Sequence, residues 1–287
     1  MAGPVFTTRF APSPTGRLHR GHAYSALTAF TAARAAGGRF LLRIEDIDRE
    51  RCRPAFEAAI FEDLDWLGLE WEEPVRRQSE HLDDYRAALD RLVGRGLVYR
   101  CFRTRREILD EIGRAPHGAE AAPYRSGPLE PADEADRLAR GDAFAWRLSF
   151  DAARDSLAET WNGLTFVEEG CGPAGETGGI TAAPERAGDV ILARKDLGVA
   201  YHLAVVVDDA LQGVSHVIRG QDLFEAAHIQ RLLQALLGLP TPVYRHHRLL
   251  LRPDGQRFAK RDTAETLAAI RASGISGADL RRELGFE

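Results

Sequence analysis

The chain holds only three cysteines in 287 residues, Cys52, Cys101 and Cys171. They are odd in number and far apart, which suggests neither a disulfide framework nor a metal knuckle, so reduced thiols are expected. Any apolar run of about eighteen residues is missing as well, and no membrane-spanning helix is expected. The opening MAGPVFTTRFAPSP lacks the basic, then apolar, then small-residue order of a secretory signal, so the chain reads as cytoplasmic. A surplus of positive charge is also absent. With a formal net charge of -5, any nucleic-acid partner must be met by a local basic face, which argues against a general nucleic-acid coat.

What is present is enough for a full core, since 44% of the residues are hydrophobic. VFTTRFAP reads as a buried first strand ended by the turn residues of APSPTG, and HRGHAYSALTAFTAARAAGG as an Ala-rich helix closed by Gly37 and Gly38. RFLLRIED is a second strand. Pro54 suits the first turn of a helix through Trp66 and Leu67, and His81 to Val93 repeats apolar residues at helical spacing. Strands alternating with helices imply a mostly parallel sheet. Residues 101–189 break the rhythm with a polar helix around Arg105 to Ile112, the strand-like AFAWRLSF and LTFVEE, and a Gly/Ala/Thr-rich run from Gly170 to Gly188 expected to be a long flexible loop. The α/β pattern is expected to resume with GDVILARKD, VAYHLAVVVDDA and SHVIRG, followed by a helix capped by Asp222 and stopped by Gly238 and Pro240. The division expected is 1–100 and 190–243 for the two halves of one α/β domain, 101–189 for an insertion, and 244–287 for a C-terminal region.

Two short motifs carry the chemistry. In APSPTGRLHRGH the prolines and Gly16 force a tight turn, Gly21 leaves room for an adenine ring, and His19 and His22 fall at the positive end of the next helix. Ring N–H donors there would stabilise charge building on an α-phosphate. In LLLRPDGQRFAKRDT, Asp254 and Gly255 make a turn, and the following loop presents Arg257, Lys260 and Arg261, cations suited to neutralising a departing pyrophosphate. Each motif alone is matched by a bland alternative, capping histidines or a solvated basic turn. Together they point to a nucleotidyl-transferring enzyme.

At these residues the sequence resembles a known family. TTRFAPSPTGRLHRGH is similar to the opening of the class I glutamyl- and glutaminyl-tRNA synthetases, RFAKR to their KMSKS loop, RIEDIDRER to the segment after their second strand, and VAYHLAVVVDDALQGVSHVIRGQDL to the block completing their amino-acid pocket. The resemblance implies a Rossmann-like parallel sheet with an inserted acceptor-type subdomain, ATP with Mg2+ as co-substrate, and L-glutamate as amino acid. Glutamate carries two carboxylates and one ammonium. Arg9 and Arg219 would supply guanidinium forks, Tyr201 a phenol and Glu45 an anion, with Ala11 and Ser13 adding contacts. Which arginine takes which carboxylate stays open.

Two departures point within the family. The chain stops at Glu287, soon after RFAKR, so no anticodon-binding domain is expected, and Val205 stands where the tRNA-charging members have Asn. Both features resemble the truncated branch that attaches glutamate to the queuosine base of tRNA(Asp), which implies queuosine-bearing tRNA(Asp) as partner and a monomer. A third departure cuts the other way: members of that branch often hold zinc through Cys-x-Cys, a Tyr and a further Cys, but here Arg103 replaces the second cysteine and RSGP after Tyr124 has none. A tetrahedral site needs four ligands, and Cys101, His117 and Cys171 do not complete one, so zinc is not expected. Candidate phosphate contacts are Arg103, Arg105 and Arg106, and Arg245, His246, His247 and Arg248, each cluster with the alternative of a solvated, paired face. The rival readings are a shortened glutamyl-tRNA synthetase charging a tRNA 3′ end and a paralogue that binds tRNA without catalysis.

Overall fold

The computed structural model describes residues 5–104, 106–108, 123–194, 198–250 and 266–286. The RFAKR loop, Arg105 and His117 lie outside them. Strand β1 (Thr7–Phe10) is buried along its whole length, as a central strand must be, and pairs in parallel with β2 (Arg39–Ile44), which pairs in parallel with β3 (Glu72–Arg77). The connection is α1 (Arg20–Ala35), whose Ala23, Ala26, Ala29 and Ala33 are fully buried; small side chains let this helix lie close on the strands. Helix α2 (Pro54–Trp66) starts on its proline, and α3 (Leu82–Gly94) buries Tyr85, Ala88, Leu89 and Leu92 at the spacing of one helical face.

Beyond residue 94 the chain builds an antiparallel sheet from β4 (Val98–Cys101), β5 (Ala145–Leu148) and β8 (Ile191–Arg194). Helices α4 (Pro131–Ala139) and α5 (Phe150–Leu157) flank it. Strands β6 (Thr165–Glu168) and β7 (Gly178–Thr181) form a hairpin that joins a different sheet, in the order β7-β6-β10-β9, with β9 at His216–Gly220 and β10 at Val243–His247. Pairs β9–β10 and β10–β6 are parallel. Helix α6 (Tyr201–Leu211) precedes β9, α7 (Phe224–Leu237) links β9 to β10, and α8 (Leu267–Ala272) and α9 (Gly277–Glu283) pack against α2 through Leu267, Ile270 and Leu280.

Several expectations change here. Gly170 to Gly188 is not a structureless loop, since it contains β7 and a 3-10 turn at Pro184–Arg186; the signal was hidden because GGIT is an exposed edge strand with no apolar alternation. GDVILARKD does not resume the parallel pattern but supplies the third strand of the antiparallel sheet. Asp222 does not cap α7, which begins at Phe224 after a 3-10 turn, with Leu223 at the N-cap. The strand pairings also run across the expected 101–189 and 243/244 boundaries, because β6 and β7 belong with β10, and β10 itself spans Val243–His247.

The parallel strands of these two sheets meet at β1 and β9. Ser215 N donates to Thr7 O at 3.0 Å, and Thr7 N donates to Ser215 Oγ at 2.8 Å. Read across, the strands run β3-β2-β1 and then β9-β10-β6. Chain order reverses between β1 and β9, which is where an open parallel sheet of this kind leaves a crevice beyond its strand ends.

Candidate active site

That crevice is a cleft of about 440 Å³ between the ends of β1 and β9. It is lined by Arg9, Ala11 and Ser13 from β1 and its extension, His19, Gly21 and His22 from the start of α1, Glu45 after β2, Tyr201 at the start of α6, and Arg219 from β9. These residues are scattered over two hundred positions, and the switch point gathers them. The expected Arg257, Lys260 and Arg261 lie outside the described residues.

The two histidines close the helix N-terminus. His19 is the N-cap of α1, and its Nδ1 accepts from Gly21 N at 3.1 Å; His22 Nδ1 accepts from His19 N at 3.1 Å. A ring nitrogen that accepts a backbone N–H carries no proton there, so each neutral ring holds its hydrogen on Nε2, as a donor. The ring centroids lie 3.8 Å apart. A Cβ on Gly21 would sit 3.0 Å from His19 Cε1, so a larger residue would press the ring out of place. The glycine therefore accommodates the histidine ring itself, in addition to any ligand.

The two arginines are both buried, but they are held differently. Arg9 Nε donates to Asp209 Oδ1 at 3.0 Å and Nη2 to Oδ2 at 3.4 Å, a two-pronged ion pair. Asp209 also accepts from Arg43 Nη1 at 2.7 Å, and Arg43 Nη2 donates to Glu45 Oε1 at 3.1 Å. Burial works against the Asp209 carboxylate, but Arg9 and Arg43 together hold it below its ordinary range. Glu45 goes the other way: burial raises it, and the pull of Arg43 and Arg9 does not fully compensate. Arg219, in contrast, meets no carboxylate among the described residues. Its Nε donates to His246 Nε2 at 3.0 Å, Nη1 to Gln230 Oε1 at 2.9 Å, and Nη2 to Leu223 O at 3.0 Å.

Sequence reasoning missed Arg43, Asp209, Glu168, His246 and Gln230 as parts of this site. A charge in the middle of the apolar RFLLRI and the acidic pair ending VAYHLAVVVDD were the available signals, since a buried charge implies a buried partner. His246 is also a correction. It is 1% exposed and inside the sheet, so it cannot meet a phosphate on the surface. Arg245 is paired with Glu169 at 2.6 Å, and His247 Nε2 lies 3.0 Å from Ser25 Oγ on the cleft wall. In the antiparallel sheet Cys101 Sγ sits 3.6 Å from Tyr124 Oη, which donates to Ser126 Oγ at 2.9 Å. Cys171 is exposed, and among the described residues no three His, Cys, Asp or Glu are grouped as a metal site.

A cleft with two guanidinium groups, a carboxylate and a phenol beside a histidine-capped helix N-terminus can hold an amino acid with an anionic side chain against a phosphate. Residues 5–163 and 173–282 match the family described as tRNA synthetases class I (E and Q), catalytic domain, and the chain belongs to that family of ligases. The chain is 51% identical over 288 residues to the glutamyl-Q tRNA(Asp) synthetase of Rhodobacter capsulatus, covering 97% of this chain and 99% of that protein. It is 39% identical over 275 residues to a glutamate–tRNA ligase of Prochlorococcus marinus, covering 93% of this chain but 55% of the ligase. In three dimensions it is similar to the glutamate–tRNA ligase of Elizabethkingia meningosepticum solved with its amino acid, with a TM-score of 0.73 and 27% identity over 90% of this chain. The glutamate–tRNA synthetase of Elizabethkingia anophelis gives the same TM-score of 0.73 at 26% identity. The chain spans about half of each of these solved chains, 52% and 53%.

Proposed function

We propose that the chain activates L-glutamate with ATP to glutamyl-adenylate and passes the glutamyl group to the queuosine base of tRNA(Asp). Its activation half rests on one observation above the rest: Arg9, Arg219, Glu45 and Tyr201 share a cleft with His19 and His22. In this reading the guanidinium groups take the two carboxylates, Glu45 the ammonium, and Tyr201 one oxygen, with Ala11 and Ser13 completing the wall. A glutamate carboxylate oxygen attacks the α-phosphorus of ATP, the α–β phosphoanhydride bond breaks, and pyrophosphate leaves. The Nε2–H groups of His19 and His22 and the N-terminus of α1 stabilise charge on the α-phosphate, while Gly21 leaves space for the nucleotide. Lys260, Arg257 and Arg261 neutralise the pyrophosphate. Mg2+ would ride on the triphosphate with water in most of its shell, which requires no cage of protein ligands.

The acceptor half is supported by the match over 97% of this chain and 99% of the Rhodobacter protein, which is named glutamyl-Q tRNA(Asp) synthetase. A second reading, charging of a tRNA 3′ end, is favoured by the 39% identity to a glutamate–tRNA ligase over 93% of this chain. Activation is tested by glutamate-dependent exchange of pyrophosphate into ATP. Exchange with glutamate and not glutamine is expected, because an amide cannot neutralise the guanidinium groups and leaves buried charge unsatisfied. Equal exchange with glutamine would refute this account of the pocket.

A further inference from the structure

The cleft's two arginines differ in one respect that bears on how a substrate carboxylate is held. Arg9 is already neutralised by Asp209. Arg219 is 5% exposed, and its hydrogen-bond partners are an imidazole nitrogen, an amide oxygen and a backbone oxygen, all uncharged acceptors. An anion does lie one residue further on. His246 Nδ1 sits 2.5 Å from Glu168 Oε2, and both side chains are fully buried. Glu168 Oε1 accepts two backbone donors, His246 N at 2.8 Å and Gly170 N at 2.8 Å. A Cβ on Gly170 would lie 2.2 Å from His246 O, so the close turn that delivers this N–H requires glycine.

The protonation pattern follows from the partners. Arg219 Nε is always a donor, so His246 Nε2 must present its lone pair, and the ring hydrogen is left on Nδ1, facing the carboxylate. Burial keeps the imidazole from charging, and the His246 contacts hold Glu168 ionised against the opposing effect of its own burial. The three groups stand on adjacent strands, Glu168 ending β6, His246 on β10 and Arg219 on β9, with His246 in register opposite Arg219. The sheet therefore carries a hydrogen-bonded line from an interior carboxylate to the cleft wall. A direct Glu–Arg pair would have cancelled the guanidinium's charge, whereas an uncharged ring between them orients it and leaves the charge in place. Of its five N–H groups, three are committed, which leaves two for a ligand with two oxygens.

We propose that Glu168 and His246 are positioning residues: they fix the guanidinium of Arg219 without neutralising it, so that its remaining N–H groups are reserved for a carboxylate of the amino acid. This rests on the glutamate reading of the cleft. It assigns the two arginines unequal parts, since Arg219 demands an anion and Arg9 already has one.

The test uses the whole chain and pyrophosphate exchange at varied glutamate and varied ATP, together with thermal melts. His246→Asn keeps a donor toward Glu168 but no acceptor for Arg219. It is expected to raise the glutamate KM by at least about ten-fold, the factor carried by one lost hydrogen bond to a charged group, with the ATP KM unchanged. His246→Gln places an amide oxygen where Nε2 stood, and its glutamate KM is expected to stay within about three-fold of the parent. A glutamate KM unchanged in His246→Asn overturns the proposal, as does an equal rise in the Asn and Gln variants. Should either variant fail to fold, nitrogen NMR of the unmutated protein decides: a neutral His246 protonated on Nδ1 from pH 6 to 8 is expected, and an Nε2–H tautomer or an imidazolium overturns it. Absence of glutamate-dependent exchange in the unmutated protein would instead sink the glutamate reading, leaving the tautomer measurement to judge the relay.

Discussion

Replacing Asp209 by alanine leaves two guanidinium groups without the anion they share. Arg43 keeps Glu45 at 3.1 Å and Asp208 at 3.6 Å, but Arg9 loses its only hydrogen-bonded carboxylate among the described residues. Both arginines are buried, at 5% and 0% exposure, so water is a poor replacement for the lost anion. Removing one partner of a buried pair costs about 3–5 kcal/mol. At about 2 °C per kcal/mol for a chain of this size, the melting temperature should fall by roughly 6–10 °C. Asp209→Asn retains an acceptor for one of the two and should fall between the alanine variant and the parent. Differential scanning calorimetry at neutral pH makes the measurement. An alanine variant melting within about 1 °C of the parent would refute the reasoning, because it would mean that the arginines are not held by Asp209.

Other outcomes follow from the same geometry and from the sequence. Lys260→Ala should slow glutamyl-adenylate formation by about two to three orders of magnitude, the usual effect of losing one stabiliser of transition-state charge, with the melting temperature unchanged; near-parental pyrophosphate exchange would sink that role. Gly21→Ala should push the His19 ring, whose Cε1 would lie 3.0 Å from the new Cβ. Exchange should then drop on the order of 10²-fold, as misplaced catalytic groups do, and an unimpaired kcat would contradict the packing argument. Burial pushes the Asp63 carboxyl up to about 6, against Arg271 and Arg17. A folded pKa above the unfolded value near 3.9 means that this group's contribution is present in acid and is lost as pH rises from about 4 to about 6. Asp63→Asn should therefore lack that decline in urea melts, and a parent-to-variant difference equal at pH 4 and pH 7 would count against it. Protein purified without chelator should carry no stoichiometric zinc by elemental analysis, since Arg103 stands in place of the second cysteine and RSGP after Tyr124 contains none; one zinc per chain would overturn that expectation.

The local parts of the site were legible and the distant ones were not. PSPTG before HRGH announces a strand, a tight turn and a capped helix within a dozen residues, and the structure builds that sequence at β1 and α1. Arg9, Glu45 and Arg219 were legible through their place beside such motifs. Their supports were hidden because the partners are far apart in the chain: Arg43 and Asp209 are separated by 166 residues, Glu168 and His246 by 78. His246 illustrates the difficulty. Within RHHR it reads as part of a basic surface cluster, but alternation along β10 turns it inward while Arg245 turns out to Glu169. The hairpin of β6 and β7 escaped for a related reason, since Gly-rich GGIT has no pattern of its own and becomes a strand only by pairing with TFVE.

The central claim is that glutamate, once activated, is placed on a base of the anticodon loop and not on the terminal ribose. Its most direct measurement is the transfer of labelled glutamate to tRNA(Asp) whose 3′ terminal ribose has been oxidised with periodate, run in parallel with tRNA(Asp) lacking queuosine. The account predicts full labelling of the oxidised, queuosine-bearing tRNA and none of the queuosine-free tRNA. Labelling that survives the loss of queuosine but is blocked by periodate would contradict it and establish a tRNA-charging enzyme on the same core.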